Sequence, residues 1–91
     1  MNTTTDNWSV LLGLASLVQK DDCGKAETIQ RKALGIAEEN YGEDSAEAGL
    51  CLIDLSINLD MQGRNTESDQ LFEKAELILR RLAVHYGLVT D

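Results

Sequence analysis

Proline is absent from this chain, so nothing forces a helix to break from within. Basic residues are scarce: eight Lys and Arg stand against sixteen Asp and Glu, for a net charge of −8. Nucleic acid and anionic membrane surfaces both need clustered cations, so neither is an expected partner. No long apolar run is present either. The longest, Val10 to Val18, is broken by Gly13 and Ser16 and falls short of the roughly 20 residues that span a bilayer. The first six residues carry no basic side chain and do not read as a signal peptide, which sets the expectation of a cytoplasmic protein.

Chemistry-bearing residues are equally sparse. The one histidine, His85, has no second His or Cys nearby in sequence and reads as a surface cation at a helix end. Asp21-Asp22 and Glu43-Asp44 lack the alternating acidic spacing of a calcium loop. Glu38 and Glu39 are adjacent, so on a helix they point in different directions and cannot share a proton. The glycines form no phosphate-cradling motif. Cys23, beside Asp22 and Gly24, reads as a turn thiol whose acidic neighbour disfavours the thiolate. Cys51, between Leu50 and Leu52, reads as a small core hydrophobe. The expectation is therefore no catalytic residue, no metal and no cofactor.

What the chain does contain is helical periodicity, with an apolar fraction of 43% that suits one small globular unit. Four helices are predicted. The first runs over about 7–20, capped by Thr5 or Asp6, with Trp8, Leu11, Leu12, Ala15 and Val18 on one face. Asp21 to Gly24 ends it as a turn. The second runs over about 25–40 with Ala26, Ile29, Ala33, Ile36 and Ala37 as its stripe, an i,i+4 pair Glu27–Arg31, and Gly42 as cap. Asp44 or Ser45 caps the third, about 46–62, which is apolar nearly all round and is either sandwiched or sticky. Asn65 or Thr66 caps the fourth, about 66–86, closed by Gly87. Residues 1–6 and 88–91 are expected to be loose around a helical unit over 7–87.

The second half of the chain repeats the first. Ala75 falls on Ala33, Lys74 on Lys32, Leu71 on Ile29, Asp69 on Glu27 and Ser68 on Ala26, each 42 residues apart. The first helix needs a one-residue shift to place Leu11, Leu14 and Ala15 on Leu52, Leu55 and Ser56. Small residues recur where two helices must approach closely. A period of this length marks a stacked repeat array.

The series Ala26-Glu27-Thr28-Ile29-Gln30-Arg31-Lys32-Ala33-Leu34, then Glu38 to Asp44, then Leu52-Ile53-Asp54-Leu55-Ser56, then Gln62-Gly63-Arg64, resembles the tetratricopeptide repeat of the kinesin-light-chain type. The resemblance covers about residues 8–87. It implies an all-α fold of two antiparallel helix hairpins stacked as a short superhelical fragment, with a HEAT-like pairing as the runner-up. It also implies a non-enzymatic module that binds a protein or peptide. Ile53 and Asp54 stand where the family pattern has two groove asparagines, and Leu12 and Gly13 stand there in the first repeat. The Lys/Asn clamp that related repeats use for a carboxylate tail is missing.

On that alignment Leu12, Leu50, Ile53, Asp54 and Ile57 are the candidate partner-binding residues. Two repeats are fewer than a stable stack usually needs, and the fourth helix carries more apolar side chains than one neighbour can cover. Self-association, as a symmetric homodimer through the fourth helix or the Leu50-Ile53-Ile57 face, is the companion expectation. The alternative to a binding module is a self-associating subunit or a piece of a longer array.

Overall fold

The computed structural model describes residues 7–90. It contains four helices, α1 (Trp8–Gln19), α2 (Cys23–Tyr41), α3 (Ala46–Met61) and α4 (Asn65–His85), with no strand among the described residues. Each helix packs on the next in chain order, and α1 touches α3 along only a short strip. The result is two antiparallel hairpins side by side, a slab whose smallest extent is 17 Å.

Local chemistry sets the boundaries. The caps expected at Thr5 or Asp6 lie outside the described residues, and Asn7 holds the N-cap position of α1, its Oδ1 accepting from the backbone N–H groups of Ser9 and Val10. Cys23 and Gly24, expected in a turn, instead open α2. Asp22 leaves the chain extended at its N-cap and accepts from the Lys25 N–H at 2.9 Å, so the helix starts two residues early. Ser45 caps α3, accepting from Ala48 N–H at 3.1 Å while donating to the Gly42 carbonyl at 2.7 Å. The expected cap of α4 is corrected as well. Asn65 and Thr66 lie inside the helix, and Arg64 holds the N-cap position with no side-chain cap, since a guanidinium has no acceptor; it is held there by Glu27 and Glu67.

Gly63 and Gly87 follow α3 and α4 at φ +81° and +72°. In each case the next residue's N–H reaches back to a carbonyl five positions earlier, Arg64 to Leu59 and Leu88 to Ala83. The end of α1 has no such glycine, and Lys20 stays right-handed there. Both hairpin turns hold three residues, 20–22 and 62–64, so they differ in how the preceding helix is closed and not in length.

The core follows the repeat. Leu11, Ala33, Ala37 and Cys51 form one buried cluster, and Leu52, Ala75 and Ile78 form another. Leu34 packs against both, which joins the two hairpins through apolar contact. Ala48, in the first turn of α3, is fully buried. Gly49 beside it permits close approach to α4, since a Cβ there would lie 3.4 Å from the Ile78 side chain.

Substitution by leucine at Ala33 or Ala75, both wholly buried, should destabilise by about 1–3 kcal/mol through overpacking. Gly35→Ala is the control. An added Cβ there meets nothing, so stability should rise by roughly 0.5–1 kcal/mol. Urea melts of the three variants check both signs.

Candidate functional site

Polar side chains add a second tie between the two hairpins where α2 meets α3. Asn58, buried in α3, donates from Nδ2 to Gln30 Oε1 on α2 at 2.9 Å and to the Cys23 carbonyl at 2.9 Å. Gln30 Nε2 donates to Gln19 Oε1 on α1 at 3.1 Å. Gln62 Nε2 donates to both Asn58 Oδ1 and Glu27 Oε1, each at 3.1 Å. Glu27 then receives Arg31 and Arg64, and those same two arginines reach Glu67 at 2.7 and 2.6 Å. One continuous network therefore runs from α1 to α4. Burial pushes the Glu27 carboxyl up, but hydrogen bonds from Arg31, Gln62 and Arg64 outweigh it and hold the group below its ordinary value.

Sequence periodicity found only the Glu27–Arg31 pair of this network. Gln30, Asn58 and Gln62 were missed because a polar residue on a helical face reads as solvent-facing. The available signal was positional: Gln30 lies one turn from Ala26 and Ala33, and Asn58 lies between Leu55 and Leu59.

The five candidate binding residues do not converge on one site. Leu50 and Ile57 are about half exposed on α3, at 48% and 50%, and Met61 extends their stripe by one turn. Leu12 is partly buried against the first core cluster and is a flank of that core. Ile53 contributes to the second cluster and to a groove of about 600 Å³ along α4, whose other walls include Phe72, Leu79, Ala83 and Val84. Asp54 and Ile57 line a separate hollow of about 120 Å³ with Ser16, Gln19 and Gln30. A third hollow of about 320 Å³ has Ile57, Met61 and Phe72 in its walls.

The large groove is therefore the open flank of the second hairpin, mostly apolar, with Glu76 and Arg80 among its lining residues. Phe72 is its main exposed anchor, at 51%. Phe72 belongs to the apolar surplus of α4 and is not among the five candidate residues.

Burial alone pushes the Asp54 carboxyl up. Burial, with help from Asp54 and Glu38, pushes the Cys51 thiol up to about 12, so it stays protonated and acts as a hydrophobe. Among the described residues no group of three His, Cys, Asp or Glu could hold a metal ion. No helix among them is long and apolar enough to cross a membrane.

Asp54 offers a direct test of its surroundings. A carboxyl raised in the folded state makes its ionised form a stability penalty, complete above the raised value and absent below the ordinary value near 3.8. Asp54→Asn should therefore raise the denaturation midpoint at neutral pH. The gain over wild type should close as pH falls towards 3.8, which urea melts across pH would show.

Compared with protein families, the chain matches the Tetratricopeptide repeat over residues 8–81, spanning both hairpins. Neither a curated protein nor a solved structure matched it. The match does not distinguish the kinesin-light-chain subtype. The family's general role is protein–protein interaction and scaffolding, and an open apolar flank beside a polar joint is a geometry suited to it. The chain belongs to the tetratricopeptide-repeat family.

Proposed function

We propose that this chain is a non-enzymatic protein-interaction module that receives an amphipathic helix or peptide on its open α3–α4 flank. The observation that carries the reading is the groove of about 600 Å³ lined by Ile53, Phe72, Leu79, Ala83 and Val84. A monomeric soluble protein rarely leaves such a continuous apolar surface uncovered without a use for it. Leu50, Asp54 and Ile57 lie on α3 outside the groove and would meet only a partner wide enough to cover that helix as well. Leu12 would act by supporting the core beneath. The proposed setting is the cytoplasm, consistent with two unpaired cysteines.

Self-association is the second reading, with a homodimer as its smallest form. It is favoured by the apolar residues that α4 leaves exposed, Phe72 and Leu77 among them. A piece of a longer array would use the same surfaces against its own next repeat.

Panning a phage-displayed library of amphipathic helical peptides against the 91-residue chain tests the first reading. Enriched peptides should lose about tenfold or more in affinity for Leu79→Glu, since a charge would sit in an apolar contact. Affinities should be unchanged for His85→Ala, which lies outside every hollow described. If no enriched peptide is sensitive to the α4 flank, the interaction-module reading fails.

A further inference from the structure

The two ends of the stack carry a paired exchange of residue type. Inside the stack, where α3 covers α2, Asn58 and Gln30 meet as a buried hydrogen-bonded amide pair. Each has a counterpart at a free end. The residue 42 positions after Gln30 is Phe72, 51% exposed on α4, and the residue 41 positions before Asn58 is Leu17, 67% exposed on α1. Both polar partners become apolar together, at the two surfaces that lack a neighbouring hairpin. End faces built only for water would carry polar residues there.

The rest of the interface obeys the same register. Cys51 packs with Ala33 and Ala37, and Leu55 is buried one turn further on. Their counterparts on α1 are Val10 and Leu14, exposed at 45% and 47%. The counterparts of Ala33, Ala37 and Leu12 are Ala75, Leu79 and Ile53, and these line the open groove. One end of the molecule thus presents the residues of a seating helix, and the other presents the seat.

We propose that copies of this chain stack head to tail, the outer face of α1 in one copy seated on the open α3–α4 groove of another in the register in which α3 sits on α2. Leu17 then meets Phe72, and Val10 packs on Leu79 and Ile53 above the buried Ala75. This rests on the interaction-module reading and names a second copy as the partner. The rim charges are mixed. The Arg31–Glu67 bridge maps onto Glu73 facing the next copy's Lys25, with the signs exchanged. The Lys74–Glu38 bridge maps onto two cations, Lys32 and Arg80, and the Gln62–Glu27 bond maps onto two acids, Asp21 and Asp69. With a net charge of −8 per copy, added salt strengthens the assembly. Seat and seating face are different surfaces, so each added copy leaves both kinds free and growth does not stop at a dimer.

Analytical ultracentrifugation of the 91-residue chain and two variants, Leu17→Glu and Phe72→Glu, tests this. Both residues are exposed, and circular dichroism checks that each variant keeps its helices. The wild-type weight-average mass should climb with concentration and salt past twice the 10.0 kDa chain mass. Each variant alone should sediment as a monomer. Mixed in equal amounts, the two variants should form a 1:1 pair and stop there, because the mixture retains one intact seating face and one intact seat. Self-association of Leu17→Glu alone would overturn the proposal in favour of symmetric pairing through α4. A wild-type monomer at every concentration would overturn it too. If that monomer still bound the selected helical peptides through α4, the interaction-module reading would stand; if it bound none, both would fall.

Discussion

The amide–amide hydrogen bond between Asn58 and Gln30 sits at the joint on which the arrangement of the two hairpins depends. A neutral hydrogen bond of this kind contributes only about 0.5–1.5 kcal/mol net, but leaving one buried partner unmade costs about 1–3 kcal/mol. Its effect is therefore on register more than on total stability. Sliding α3 along α2 by a turn would strand both amides and the Gln62–Glu27 contact at once. No buried side-chain nitrogen or oxygen is unpaired among the described residues, so the network is closed in the one register observed. Glu27 extends that constraint to the surface, where Arg31, Arg64 and Glu67 tie α2 to the first turn of α4.

Small residues do the complementary work. Ala26, Ala33, Ala37, Ala48 and Ala75 are wholly buried, and each lies where a larger side chain would hold two helices apart. Ser68 takes an alanine-like position on α4 and satisfies its hydroxyl by donating to the Ser56 carbonyl at 2.6 Å. With so much of the core made of alanine, bulk comes from a few side chains such as Leu52, Leu55, Leu59 and Ile78. A slab this thin covers each hairpin on one flank only. The apolar residues of α1 and α4 that face away from the joint stay in water for that reason.

The fold was legible because its signals are local or periodic. The positions of Ala33 and Ala75, and the glycines at 42, 63 and 87, place the helices and their ends without any knowledge of packing. The starts of α2 and α4 were misread for chemical reasons. Asp22 is a better cap than the Asp-Asp-Cys-Gly composition suggests, since a turn-forming acid and an N-cap are the same residue type. Arg64 is not a capping residue at all, and only the contacts with Glu27 and Glu67 explain its place. The candidate surface was less legible. Leu12 and Ile57 both read as partner-facing, yet Leu12 is tucked against the first core cluster and Ile57 is half exposed, a difference set by tertiary packing that periodicity does not show. Helix α3 has neighbours on two sides and α1 mainly on one.

That asymmetry also explains why the same structural position is an amide inside the stack and a hydrocarbon at its ends. Between α2 and α3 the two surfaces are tethered by a turn of four residues, Gly42 to Ser45, so bringing them together costs little beyond ordering the turn. A joint of that kind can be made of hydrogen bonds whose net gain is small and whose geometry is strict. Two separate molecules have no tether. Their association must first offset an estimated 4–15 kcal/mol of lost translational and rotational freedom, which a pair of amides cannot supply. Burying apolar area at roughly 25 cal/mol per Å² can. Phe72 and Leu17 are thus the residue types an intermolecular joint requires, at the positions where a tethered one uses Gln30 and Asn58.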